Sequence, residues 1–259
     1  MSVIVEDLSG YGQLRVTGAD RVRFLQGMLT NDVAALAPGG PLRAAVLNVK
    51  GRVLAIVDAV REDEAFVLVT EPVTAVKLLE VLDRHAIADD VTFTPETRPA
   101  HRVWEDVAAV WTAPPVFSAP AGASAVADVD LRRLEAGMPR YGIDVSEDHF
   151  PFEANLDRAI SYEKGCYVGQ EVVARAHARG HANKRLIGLF LGGEGPAVAG
   201  TVLAHPTRAT AGTITSSLVS PTFGPIALGY LHKSVWDPGT ILDAGGRPAT
   251  VSPLPFRRD

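Results

Sequence analysis

The 259-residue sequence contains one cysteine, Cys166. A single thiol excludes an internal disulfide, a CxxC redox pair and any cysteine-rich metal or iron–sulfur site built by one chain, since such clusters usually draw on about four ligands. The cytoplasm is the expected compartment. A basic surplus is also missing, because 25 Lys plus Arg stand against 30 Asp plus Glu, for a net charge of −5. Generic wrapping of nucleic acid or of an anionic membrane is therefore not expected, although a local basic patch would survive that balance. Long apolar runs are absent. The most apolar segment, Val53 to Val60, is interrupted by Asp58 and falls far short of the roughly 20 residues that span a bilayer. At the amino end Glu6 and Asp7 follow only Val3 to Val5, without the basic start and apolar core of a signal peptide. No fixed-period repeat is visible, so a solenoid or propeller is not expected.

What is present describes an ordinary folded chain, with 47% hydrophobic and 21% charged residues. At about 150 residues per domain the length suggests one to two units. Gln13 to Val16 alternates polar and apolar residues and ends at Gly18, a strand pattern. Asp20 is placed to cap a helix carrying Val22, Leu25 and Leu29 on one stripe. Leu42 to Leu47, Arg52 to Val60 and Ala65 to Val69 read as an antiparallel meander joined by polar or glycine-bearing turns. Pro72 opens a second helix with Val73, Val76, Leu79 and Leu82 at helical spacing up to His85. The first 90 or so residues thus predict an α+β unit. Prolines at 95, 99, 114, 115 and 120, with Trp104 and Trp111 between them, mark a connector, and 115–127 reads as a candidate mobile loop. Asp128 starts a helix stopped by Gly137 and Pro139, and a short helix is expected from Glu153 to Ile160. From Leu186 onward short β-type runs alternate with Gly- and Pro-rich turns, which predicts a small all-β domain.

Four places can carry chemistry. Cys166 lies in Lys164-Gly165-Cys166-Tyr167-Val168-Gly169-Gln170-Glu171, just before a helical stretch. A helix N-terminus and the nearby Lys164 would stabilise a thiolate, and the alternative is a buried structural cysteine. His177 or His181 could pair with that thiol or hold a metal, but Gly180 lies between them and no HExxH glutamate is present, so no metal site is expected. Between Glu171 and Glu194 the charges are all basic: Arg175, Arg179, Lys184 and Arg185. That strip suits a polyanion or is simply a solvated face. Glu135 is a carboxylate in an otherwise apolar stretch and needs a partner. It would suit a planar heterocycle with adjacent N–H donors, such as a pterin, or a salt bridge to Arg132 or Arg158. Lys50-Gly51-Arg52 lacks the rest of a phosphate loop and reads as a hairpin turn.

Taken together, Phe24 to Val33, Lys50-Gly51-Arg52, Arg133 to Gly137, Tyr141 to Asp144, Pro151 to Asp157 and the Lys164 to Glu171 octapeptide resemble the YgfZ-type folate-binding proteins. These are relatives of the glycine-cleavage T-protein, the aminomethyltransferase. The resemblance covers most of the chain and is weakest from Thr94 to Ala127. It implies an α+β fold: a ring of two α+β regions, about 1–94 and 95–182, around a central folate channel, followed by a C-terminal β-barrel at 183–259. It implies tetrahydrofolate, or a one-carbon or polyglutamyl derivative, as ligand. Glu135 falls on the family's pterin-binding glutamate. Tyr141, Arg175, Lys184 and Arg185 are the further candidate folate contacts, and Cys166 with Lys164 the candidate functional thiol and its neighbour. Transferases of the family carry an acidic pair soon after the glycine hairpin, where this chain aligns Ala55 and Ile56, with Asp58 three residues on. Alkyl side chains cannot move a proton. The resemblance therefore implies a monomeric accessory protein for iron–sulfur client enzymes, with indirect effects on tRNA modification, rather than an active aminomethyltransferase. The alternative is a folate-dependent aminomethyltransferase or demethylase.

Overall fold

The computed structural model describes residues 4–104, 115–117, 119–179 and 182–257. The chain divides into two units interleaved along the sequence. The first comprises residues 1–126, 146–151 and 156–179, and the second 127–145, 152–155 and 180–259. Residues 127–145, expected within a folate-binding domain ending at 182, thus group with the C-terminal strands.

In the first unit, β1 (Ile4–Asp7), β2 (Gly12–Thr17), α1 (Arg21–Met28), β3 (Pro41–Leu47), β4 (Val53–Arg61), β5 (Phe66–Thr70), α2 (Ala75–His85), β6 (Thr92–Glu96) and β7 (His101–Trp104) follow one another. They are followed by the short β8 (Pro115–Val116) and β9 (Ser124–Ala125). The expected meander forms the core of a five-stranded sheet, β3-β4-β5-β2-β6. A second sheet has the order β8-β7-β1-β9. Trp104 ends β7 and is buried, while Trp111 lies outside the described residues.

Helix α1 buries Phe24, Leu25 and Met28 against the meander's Ala44, Val46, Ala55 and Val57; of the expected stripe, Leu25 and Leu29 are buried and Val22 only partly. The α2 stripe differs from expectation. Pro72–Thr74 forms a separate 3-10 turn, so the helix takes its phase from Ala75. Leu78 and Leu82 are buried while Val73 and Val76 stand exposed. Each such leucine contributes about 1.5–3 kcal/mol by leaving water. Asp20 occupies the N-cap of α1, but its carboxylate accepts the Asp90 N–H at 2.9 Å instead of a helix amide. That bond holds its pKa below the ordinary carboxylate value.

The second unit contains α3 (Val129–Glu135) and a closed barrel, β10-β13-β12-β11-β14-β15. Its strands are β10 (Lys184–Leu191), β11 (Val202–His205), β12 (Arg208–Ser220), β13 (Gly224–His232), β14 (Ile241–Asp243) and β15 (Pro248–Ser252). Closure leaves no unpaired sheet edge, and the all-β expectation for the C-terminal part is met. Leu134 of α3 packs into a barrel cluster with Leu186, Ile226, Leu228 and Phe256. The helix expected at Glu153 to Ile160 is only a 3-10 turn at Asp157–Ala159, preceded by Asn155 at φ 56°. Among the described residues no helix is long and apolar enough to cross a membrane.

Candidate functional site

The Cys166 octapeptide belongs to the first unit, and its side chains alternate between anchors and an exposed tip. Lys164 is buried, Gly165 and Cys166 are exposed, and Tyr167 is buried again. The Lys164 Nζ donates to the carbonyls of Gln26 (2.7 Å), Leu29 (2.6 Å) and Asn31 (2.9 Å). An ammonium has three N–H donors, so all three are spent where the carbonyl end of α1 runs into its following loop. A cation belongs at a helix C-terminus. Burial pushes the Lys164 pKa down to about 8, against the opposing pull of Asp32, so the group is cationic at neutral pH. Burial, aided by Tyr162, pushes the Tyr167 hydroxyl up to about 12.

The octapeptide's other anchors are backbone contacts. Val168 N–H donates to the Gly27 carbonyl at 3.0 Å. Gly169, at φ 81°, lies so close to the β3–β4 hairpin that an added Cβ would sit 2.5 Å from the Asn48 carbonyl oxygen. The hairpin is an Asx-type turn in which Asn48 Oδ1 accepts the N–H groups of Lys50 (2.9 Å) and Arg52 (3.0 Å). Beyond the octapeptide's turn runs α4 (Gln170–Arg179). The ring of Tyr162 stacks on His177 of that helix at 3.7 Å.

Two expectations change here. Lys164 is the cap of α1's carbonyl end, because its side chain turns inward, and it is not a cation free to serve the thiol. Cys166 is exposed, so the buried structural cysteine is excluded. His181 lies outside the described residues. Among the described residues no group of three His, Cys, Asp or Glu side chains is placed to hold a metal ion.

The positions expected to align with the family's acidic pair lie in β4. Ala55 is fully buried, and Ile56 pairs with Ala45 across the ladder. Asp58 lies opposite Arg43 and accepts its Nε (2.8 Å) and Nη2 (2.9 Å), while Arg102 Nη2 reaches it at 3.3 Å. Arg102 also donates to Glu6 at 2.7 Å, completing a buried four-residue network. Burial alone would raise the Asp58 pKa, but the two guanidinium groups outweigh it and hold the carboxyl below its ordinary value. Asp58 is thus a structural counter-ion with both oxygens committed.

Glu135 lies in the second unit, at the last turn of α3. The residue is 7% exposed, and Oε1 accepts the Ser220 hydroxyl at 2.6 Å. Arg132 does not pair with it, and among the described residues of its own unit no cation does. The Glu135 carbonyl accepts the Phe256 N–H at 2.9 Å. Gly137 closes the helix at φ 70°, where a Cβ would meet the Leu254 side chain at 2.7 Å, so both conformation and space demand glycine.

Helix α3 is tied to the barrel by Asp144. This carboxylate accepts Arg133 (2.7 Å), Thr215 (2.5 Å) and Ser216 (2.7 Å). Adjacent strand residues normally face opposite ways. The register shift between Ile214 and Ser216 is a bulge that lets both hydroxyls reach one acceptor.

The remaining candidates are dispersed. Tyr141 is buried and bridges to Val145. Lys184 Nζ lies 3.9 Å from Glu153 and over the Tyr230 ring, and Arg185 donates to Asn155 Oδ1 at 2.6 Å. Burial raises the Tyr230 pKa. Arg175, in the first unit, forms an exposed i,i+4 pair with Glu171. The basic strip is thus divided between the two units. Sequence reasoning missed Ser220. Ser220-Pro221-Thr222-Phe223-Gly224 lies between two of the expected β-type runs, but nothing in it named a partner 85 residues away.

Comparison with known proteins places the chain in a family. Residues 1–103 match the GCVT N-terminal domain. The aminomethyltransferase of Rubrobacter xylanophilus is 30% identical over 311 residues, covering 97% of this chain and 82% of that protein. The chain belongs to the aminomethyltransferase family. Against other aminomethyltransferases it spans less, 36% of the length of the one from Saccharopolyspora erythraea. The family resemblance extends to the mitochondrial iron-sulfur cluster assembly factor IBA57 homolog of Mycosarcoma maydis. It is 28% identical over 229 residues, covering 71% of this chain and 57% of that protein. The crystal structure of the glycine cleavage system aminomethyltransferase T from Bartonella henselae superposes with a TM-score of 0.84. It covers 99% of this chain and 86% of that one at 22% identity, which establishes a shared fold.

Proposed function

We propose that this member of the aminomethyltransferase family is a YgfZ-like accessory protein that binds tetrahydrofolate, or a one-carbon or polyglutamyl form of it, and supports iron–sulfur client enzymes without transferring an aminomethyl group. The observation that carries this reading is the opposite treatment of two buried carboxylates. Glu135 has a hydroxyl on one oxygen and no cation among the described residues of its own unit, whereas Asp58 is held by two guanidinium groups. A buried carboxylate without a counter-ion needs donors from elsewhere, and adjacent N–H groups of a reduced pterin supply them in the geometry a carboxylate accepts. Bound folate contributes a one-carbon carrier; the chain's own part is to hold the heterocycle through Glu135. Where the family's acidic pair is expected to align, the chain carries the alkyl side chains of Ala55 and Ile56, and Asp58 would have to abandon both arginines to act as an acid.

The family resemblance to an iron-sulfur cluster assembly factor favours a role with such clients, and the exposed Cys166 is the group offered to them. Arg175 and Lys184 remain the candidates for an acidic folate tail. Effects on tRNA modification would follow indirectly, through client enzymes. The test is tetrahydrofolate titration alongside an assay of methylene-tetrahydrofolate formation from aminomethylated carrier protein. Binding that Glu135→Ala weakens, without turnover, is expected. Turnover at the rate of an authentic aminomethyltransferase would establish the alternative, and no binding at all would remove folate from the account.

A further inference from the structure

Ser220 is the last residue of β12, and its hydroxyl is constrained on every side. Its oxygen accepts the N–H groups of Thr222 and Phe223, each at 3.0 Å, and the residue is 2% exposed. A hydroxyl has two lone pairs and one hydrogen. With both lone pairs filled by the turn's own backbone, the hydrogen has one place to go, Glu135 Oε1 at 2.6 Å. The bond is at the short end for O–H···O, as bonds to carboxylate are. Because Ser220 has no acceptor capacity left, the turn admits only an acceptor at Oε1 and cannot accommodate a donor there.

The turn itself is rigidly seated. Phe223 lies within 6.0 Å of Phe256 and 6.4 Å of Phe190, ring centre to ring centre, and the backbone N–H of Phe256 is bonded to the Glu135 carbonyl. Glu135 is therefore gripped from the β12–β13 turn at its side chain and from the C-terminal segment at its main chain.

We propose that Ser220 is a positioning residue for ligand binding: through its single available hydrogen it fixes the rotation of the Glu135 carboxylate, so that the remaining lone pairs present one acceptor edge to adjacent N–H donors of a planar heterocycle. This rests on the reading of Glu135 as the folate acceptor. It assigns to the barrel's β12–β13 turn a part in recognition that neither the octapeptide nor the α3 segment contains.

The experiment is a double-mutant cycle on tetrahydrofolate affinity with the full chain: wild type, Ser220→Ala, Glu135→Ala and the double variant, with Ser220→Thr as the conservative replacement. Ser220→Ala is expected to weaken binding by roughly tenfold, the scale of one hydrogen bond to a charged group. Ser220→Thr restores most of it, and Ser220→Ala adds little once Glu135→Ala is present. Equal weakening by Ser220→Ala with and without Glu135 would overturn the proposal, as would an unchanged affinity. If Ser220→Ala fails to fold, Ser220→Cys, a weaker donor of similar size, takes its place in the same cycle. Absence of any binding by wild type overturns the folate reading and this proposal together. Binding that depends on Glu135 but not on Ser220 overturns this proposal alone.

Discussion

Gly169 and Gly51 meet backbone to backbone: a Cβ on Gly169 would lie 3.1 Å from the Gly51 Cα and 2.5 Å from the Asn48 carbonyl oxygen. Both glycines have positive φ, 81° and 76°. Two motifs more than a hundred residues apart are thereby pressed together, and the hairpin serves as the floor of the loop that exposes Cys166. Gly169→Ala is expected to destabilise the protein by about 2–4 kcal/mol, since left-handed backbone disfavours a side chain and the clash is with main chain. Urea unfolding checks this.

Lys164→Met keeps the side-chain length and removes the donors. Three carbonyls at the end of α1 lose their partner, at a cost of about 2–4 kcal/mol by the usual price of unsatisfied buried polar groups. The expected accompaniment is faster proteolysis around Gly165. A variant as stable as wild type by thermal denaturation would show that water replaces the ammonium.

Asp58→Asn tests the counter-ion role. Removing one member of a buried ion network costs about 3–5 kcal/mol. The pH dependence has a definite sign. The Asp58 pKa in the folded state lies below the ordinary 3.8, so the unfolded chain binds more protons in that window. The contribution to stability is full above 3.8 and is lost as pH falls through the folded value. Stability measured from pH 6 down to pH 3 should fall less steeply in Asp58→Asn than in wild type.

Cys166→Ala should separate folding from function. The side chain is exposed, so unfolding free energy should change by less than about 0.5 kcal/mol. In a strain lacking its own family member, the variant should nevertheless fail to restore iron–sulfur enzyme activity. Restoration at the wild-type level would remove the thiol from the mechanism.

Much of this was legible in the residues. The meander, the α1 stripe and the glycine-rich β tail follow from periodicity and turn composition, which act over short spans of chain. Asp128 was recognisable as the start of α3, and it caps that helix by accepting the Leu131 N–H at 2.9 Å. Other features were not legible. Val73 and Val76 fit the helical spacing of α2 but face outward, because the 3-10 turn resets the phase. Lys164, two residues from Cys166, suggested an activating cation. Proximity along an extended loop says little about side-chain direction, and the ammonium points into the fold.

The sequence by itself determined most of the elements, the family motifs and the alkyl character of positions 55 and 56, because these depend on local propensity and residue chemistry. Only the tertiary structure decided which carboxylates have partners. Asp58 could be a free acid until Arg43 and Arg102 closed on it, and Glu135 had no assigned donor until the β12–β13 turn delivered Ser220. Hydrogen-bond partners in a folded chain are chosen by packing across distant segments, and a buried polar group takes its character from whichever partner that packing supplies.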